Sequence, residues 1–170
     1  MTLTTHAIVG AAAARLFSFN PATAFLAAFV SHFLIDAIPH WDYNLKSAKK
    51  NETNLMKSDI LVNRDFVFDL GKILFDIILG ILLSFFIFQP SGNAEILTIA
   101  IGIVGGILPD PLQFLYFKFR HEPLVSLQKF HFLIHTKVKL SGGWFVGVFL
   151  QIFLVVIVVI LSIMIGHRIR

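Results

Sequence analysis

The stretch GGWFVGVFLQIFLVVIVVILSIMIG, residues 142–166, contains no charged side chain. A transmembrane helix needs about 20 consecutive apolar residues, so this stretch is long enough to cross a bilayer. The whole chain is 56% hydrophobic and 14% charged, whereas soluble domains average about 45–50% apolar residues and roughly 25% charged residues. We therefore predict an integral membrane protein that forms a single domain over residues 1–170.

Four more apolar segments lie upstream, at residues 5–17, 22–38, 66–88 and 94–117. Asn20-Pro21 separates the first two, which are short, and a turn over residues 89–93 separates the next two. The pattern predicts an all-α, polytopic membrane bundle of about five membrane helices, plus a short interfacial helix that begins near Ser126. A re-entrant first hairpin and a last helix that does not span are the alternatives.

Lysine and arginine are concentrated in two long loops. The cations of these loops are Lys46, Lys49, Lys50, Lys57, Arg64, Lys118, Arg120, Lys129, Lys137 and Lys139, whereas the turns near Asn20 and Asn93 have none. By the positive-inside rule both loops and the N-terminus are predicted to be cytoplasmic. Arg168 and Arg170 follow the last segment and weigh against this orientation. The net charge of +4 is therefore read as a topology signal, and we see no nucleic-acid signature.

Histidine and aspartate collect at the predicted cytoplasmic ends of the helices. His32 and Asp36 are four residues apart and share a helix face, and Pro39 is expected to turn the following residues back toward them. The chain has no cysteine, so a metal would need nitrogen and oxygen ligands. The predicted ligands are His6, His32, Asp36, His40, Asp42, Asp110, His131 and His135.

Each of these features has a structural alternative. His32 and Asp36 could form a structural pair, with Trp41 and Tyr43 in an interfacial belt. Asp76 could pair with Lys72 four residues earlier, or it could be a ligand or orient one from the second coordination shell. We expect Asp65 and Asp69 to be solvated, and His121 and His167 to have no functional role.

Imidazole and carboxylate ligands suit zinc, manganese or iron, and this supply is enough for two ions. Two adjacent metal ions are typical of phosphoester hydrolysis. The sequence favours a metal-dependent hydrolase, a phosphoesterase that acts on a lipid or membrane-associated phosphoester, with Asp36 and Asp110 as catalytic candidates. Arg120, Lys129 and Lys72 are candidates to bind phosphate. The alternatives are a divalent-cation transporter and a membrane assembly protein stabilised by metal.

Three pieces of the chain resemble bacterial and archaeal membrane-bound metal-dependent hydrolases of the LexA-regulated inner-membrane protein type. They are Thr5-His6 followed by Gly10, Leu108-Pro109-Asp110, and the His131/His135-Thr136 pair. Residues 32–40 are also similar to the His-x-x-x-Asp helix of zinc-dependent phospholipase C and related nucleases. The resemblance implies a metal-dependent phosphoesterase of a prokaryotic cytoplasmic membrane, carried by His6, His32, Asp36, His40, Asp110, His131 and His135. The positive-inside orientation predicts that its site faces the cytoplasm.

Overall fold

A computed structural model describes residues 1–138, 140 and 143–169, and no side chains beyond 166. Lys139, Gly142, Arg170 and the side chains of His167 and Arg168 thus lie outside the described residues. The helices are α1 (Leu3–Leu16), α2 (Pro21–Asp36), α3 (Arg64–Phe88), α4 (Asn93–Ile107), α5 (Pro109–Phe119), α6 (Leu124–Ile134) and α7 (Trp144–Ile169). The loop before α3 holds a 3-10 helix (Leu55–Lys57) between antiparallel strands β1 (Ala48–Lys49) and β2 (Asp59–Ile60). The predicted all-α class is confirmed.

Helix α1 is the centre of the bundle. It packs against α2, α3, α4 and α7, and its alanines at positions 7, 11, 12 and 14 are fully buried. Small residues allow this close packing, because a Cβ on Gly10 would lie 2.9 Å from the Gly106 Cα and one on Gly102 would lie 2.7 Å from the Ala11 Cα. Backbone-to-backbone contact therefore fixes α1 against α4.

Within the part of the chain that the structure describes, two helices are long and apolar enough to cross a membrane, Arg64–Phe88 and Trp144–Gly166. The predicted fourth segment, residues 94–117, is not one straight helix: α4 and α5 meet at Leu108 with a bend of 41° and form either a broken span or a re-entrant loop. The break precedes Pro109, which lacks a backbone N–H and cannot continue the hydrogen-bond ladder. Five spans remain a prediction, since α1 and α2 have only 14 and 16 residues.

The loop between α2 and α3 is tied to α3 by Asp69. This carboxylate accepts hydrogen bonds from the Ser47 N–H at 2.8 Å and the Ser47 hydroxyl at 2.9 Å, and it is only 1% exposed. The expectation that Asp69 is solvated was wrong, because the loop folds over it. The Lys72 ammonium also pairs with Asp69, at 2.9 Å.

Candidate metal centre

The carboxylate of Asp36 is the centre of the predicted ligand cluster. Its Oδ1 lies 3.2 Å from His6 Nε2 and 3.9 Å from His40 Nε2. Its Oδ2 lies 3.3 Å from His32 Nε2, 3.2 Å from His131 Nε2 and 3.9 Å from His135 Nε2. Five imidazoles from α1, α2, α6 and the segments after α2 and α6 thus surround one buried carboxylate.

Backbone carbonyls orient three of these rings. His32 Nδ1 lies 2.8 Å from the Gly106 oxygen, His40 Nδ1 lies 2.7 Å from the Ile38 oxygen, and His135 Nδ1 lies 3.1 Å from the Thr136 oxygen. A carbonyl only accepts hydrogen bonds, so these Nδ1 atoms carry the proton. In a neutral ring the Nε2 lone pair then faces inward, which is how metal-binding histidines are usually oriented.

This arrangement leaves buried polar atoms without partners. Both ring nitrogens of His6 and the Nε2 atoms of His32 and His40 are buried and have no hydrogen-bond partner among the described residues. Lone pairs on Nε2 and on a carboxylate oxygen repel each other unless a cation lies between them. Charging every ring would instead collect several imidazoliums around one buried carboxylate, at a large desolvation cost. The donor set therefore fits a metal cation.

Among the described side chains, three overlapping groups are close enough to hold an ion. They are His6, His32 and Asp36; His32, Asp110 and His131; and Asp36, His40 and His135. In each group the ligand atoms lie within 4.8 Å of one another. Buried His/Asp groups that could bind metal are thus present, and seven of the eight predicted ligands belong to them.

The eighth, Asp42, lies at the edge of the cluster. Its Oδ1 is 3.1 Å from His40 Nε2 and 2.7 Å from the Met1 amino group. The Met1 amino group also lies 3.3 Å from Asp36 Oδ1, a contact that our sequence analysis missed.

The centre of the cluster is buried and its edges are partly exposed. The side chains of His6, His32, Asp36 and His40 are at most 2% exposed, whereas those of Asp110, Asp42 and His135 are 31%, 28% and 22% exposed. Asp110 Oδ1 lies 3.7 Å from His32 Nε2. Burial lowers the pKa of His135 more than Asp36 raises it, which favours the neutral imidazole that binds metal. Solvent thus reaches the cluster at these three side chains.

Two polar side chains hold the first turn of α1, which carries His6. Asp76 on α3 accepts hydrogen bonds from the Leu3 N–H at 2.6 Å and the Thr4 hydroxyl at 2.6 Å. Gln151 on α7 accepts one from the Thr2 N–H at 3.1 Å and donates one to the Trp41 carbonyl at 2.8 Å. Gln151 was missed, although an amide inside the apolar stretch 142–166 was a signal.

The remaining candidates lie away from the cluster. Asp76 holds the first turn of α1 and belongs to none of the three ligand groups. It does not pair with Lys72, whose partner is Asp69. The Arg120 guanidinium donates to the Ser58 carbonyl at 3.1 Å and so holds the loop before α3. Lys129 and His121 are exposed and belong to none of the three ligand groups.

No family model, curated protein or solved structure matches this chain. The resemblance to membrane-bound metal-dependent hydrolases therefore rests only on the residues quoted for it. The chemistry of the His/Asp cluster is therefore the evidence on which a function can be proposed.

Proposed function

We propose that this protein is a membrane-bound, metal-dependent phosphoesterase. The observation that carries the proposal is the burial of Asp36 among five imidazoles, of which His6, His32 and His40 have Nε2 atoms without a hydrogen-bond partner among the described residues. Histidine and carboxylate ligands without thiolate suit zinc, manganese or iron. Divalent ions bound here would act as Lewis acids and lower the pKa of a coordinated water.

The two oxygens of Asp36 face different sets of histidines. Oδ1 is nearest to His6, and Oδ2 is nearest to His32 and His131. We therefore assign Asp36 as a ligand that would be shared in a two-ion centre. His40, His135 and Asp42 would supply ligands on one flank, and Asp110 would lie on the other.

Asp110 is the candidate general base. Its carboxylate is partly exposed and lies 3.7 Å from His32 Nε2, and general bases must lie within hydrogen-bond reach of the group that they deprotonate. In this role Asp110 would accept the proton of the attacking water, and His32 and His131 would remain as metal ligands. A substrate would approach from the same side.

The proposed substrate is a lipid or another membrane-associated phosphoester. The centre lies at one end of α1 and α2, and the long apolar helices α3 and α7 would keep that end at a bilayer surface. An ion transporter needs a polar path through the other half of the bundle. There α1 presents Ala11, Ala12 and Ala14, and the buried Ser162 hydroxyl only donates to the Ala12 carbonyl. This one-sided distribution favours the enzyme.

Metal content tests the centre itself. We expect the protein purified in detergent to contain close to two equivalents of metal per chain by elemental analysis. His131→Ala should lower the content by about one equivalent or more, because His131 contacts Asp36 directly. The matched control His121→Ala removes an exposed histidine and should change nothing. A folded wild-type protein without metal would contradict the proposal.

Activity is tested in vesicles that report two processes at once. With reconstituted protein we expect release of phosphate or a phosphorylated headgroup from a lipid phosphoester, and no flux of divalent ions across the bilayer. Asp110→Asn should lose most of the turnover and keep the metal held around Asp36, because Asp110 belongs to only one of the three ligand groups. Ion flux without turnover would identify a transporter. A folded, metal-loaded protein with neither activity would favour an assembly role.

A further inference from the structure

A cavity lies at the start of α3, and none of its lining residues belongs to the three ligand groups of the metal centre. Its volume is about 470 Å³, and it is lined by Lys46, Arg64, Asp65, Phe68 and Lys72. Three cationic side chains and one carboxylate therefore face the same space. A cavity with this balance of charge attracts an anion.

The buried carboxylate of Asp69 holds the Lys72 side chain and the backbone next to Lys46. Its Oδ1 accepts a hydrogen bond from the Lys72 ammonium at 2.9 Å, and its Oδ2 binds Ser47, the neighbour of Lys46. An ammonium has three donors, so Lys72 keeps two for a ligand. The Lys72 side chain is 49% exposed, which leaves these donors accessible.

Arg64 and Lys46 make no ion pair within the described parts of the chain. The Arg64 guanidinium lies 5.9 Å from the centre of the Phe68 ring, which directs it along the helix surface. By contrast, Lys118 is paired with Asp59 at 2.8 Å. A guanidinium and an ammonium with free donors suit the oxygens of a phosphate group.

The same face of α3 continues as an exposed apolar stripe. Arg64, Phe68 and Lys72 follow one another at four-residue spacing, so they lie on one side of the helix. The side continues through Phe75, Leu79, Leu82 and Phe86, which are 70%, 38%, 63% and 73% exposed. Since α3 is long and apolar enough to span a membrane, this stripe would contact acyl chains directly below the basic cavity.

We propose that the cavity binds the phosphate group of an anionic phospholipid whose acyl chains lie along this stripe. Free phosphate has the same oxygen chemistry, but the continuous apolar stripe favours the lipid. The site is separate from the metal centre, and it would bind lipid whether or not the protein is an enzyme.

The test uses the full chain in detergent and titrates phosphatidylglycerol by native mass spectrometry. Phosphatidylcholine, which carries no net charge, is the reference lipid. Wild-type protein should prefer phosphatidylglycerol. K46Q/R64Q should weaken its binding by about tenfold or more, since each Lys or Arg near an anionic lipid contributes a factor of about five. The control K49Q/K50Q removes two exposed loop lysines and should change the affinity by less than about twofold.

Three results would overturn the proposal. The first is equal binding of the two lipids to wild-type protein, and the second is an equal loss of affinity in both double variants, which would indicate unspecific attraction. The third is displacement of the lipid by millimolar inorganic phosphate, which would make the free anion the ligand. Thermal unfolding of each variant verifies its fold. If K46Q/R64Q is unfolded, the phosphatidylglycerol affinities of the single variants R64Q and K49Q give the same comparison.

Discussion

At the scale of single residues, Gly106 links the packing of the bundle to the geometry of the metal centre. Its carbonyl oxygen accepts the Nδ1 proton of His32, and a Cβ on it would overlap the His6 carbonyl oxygen and lie 3.1 Å from the Gly10 Cα. The His6 and His32 rings stack with their centres 3.9 Å apart. One small residue thus sets the spacing between two ligands from different helices.

We predict that Gly106→Ala disrupts the centre. The new methyl group would meet backbone atoms, which cannot rotate away, so α1 and α4 must separate. The expected loss in unfolding free energy is about 1–3 kcal/mol, as in other overpacked cores, together with a lower metal content. The control is Gly71→Ala, whose Cβ would have no neighbour within 4 Å and which should stabilise α3 by roughly 0.5–1 kcal/mol. Thermal unfolding and elemental analysis measure both variants.

At the scale of elements, α1 is capped by a carboxylate from another helix. A helix N-terminus leaves four N–H groups without intrahelical partners, and Asp76 on α3 accepts from those of Leu3 and Thr4. The interaction joins a long apolar helix to the short helix that carries His6.

Asp76→Ala should therefore weaken both the fold and the centre. Loss of a capping carboxylate typically costs about 0.5–2 kcal/mol, and a shifted first turn of α1 would displace His6. We expect lower unfolding free energy and weaker binding of metal in a competition titration with a chelator. Asp65→Ala removes an exposed carboxylate from the same helix and serves as the control. Equal metal affinity in both variants would contradict this role of Asp76.

The loop before α3 depends on an ion pair with α5. Lys118 donates to Asp59 at 2.8 Å and lowers the pKa of this carboxyl below its ordinary value. Because the pKa of Asp59 is lower in the folded state than in the unfolded state, the ion pair stabilises the fold fully above the unfolded pKa of about 3.9. It is lost as the pH falls through the lower folded value.

We predict a coupling energy between Asp59 and Lys118 that depends on pH. The pair is partly exposed, so the coupling should be at most about 1 kcal/mol at pH 7 and should fade as Asp59 is protonated. A double-mutant cycle with Asp59→Asn and Lys118→Met, measured by unfolding at pH 7 and in acid, tests this. A coupling that persists in acid would show that the contact is not ionic.

At the scale of the whole molecule, the centre connects segments that are far apart in the chain. His131 and Asp36 are 95 residues apart in the sequence. The Thr136 N–H donates to the Asp36 carbonyl at 2.9 Å, and the Leu140 N–H donates to that of His40 at 3.2 Å. A metal in the centre would therefore cross-link both halves of the protein.

Removal of the metal should destabilise the entire fold. A ligand present at 100 times its Kd stabilises the folded state by about 2.7 kcal/mol, which corresponds to a fall in Tm of about 5–10 °C for a chain of this length. We expect this fall in the presence of a chelator, and recovery after metal is added back. His131→Ala should respond much less. An unchanged wild-type Tm would contradict a cross-linking metal.

The sequence by itself indicated the class of protein and the chemistry of the cluster. Membrane-length apolar segments, missing cysteines and the His-x-x-x-Asp spacing are local properties, because hydropathy and helical periodicity act over a few turns. They were sufficient to predict an all-α fold and seven residues that the structure brings together in three potential ligand groups. The number of spans and the side of the membrane stay predictions.

Only the tertiary structure decided which partner each polar residue has. Lys72 pairs with Asp69 and not with Asp76, and Asp76 caps α1. The central position of Asp36 among five imidazoles also follows from packing between helices. The physical reason is that a buried carboxylate must find donors wherever the fold supplies them, and those donors come from segments whose proximity no local pattern encodes.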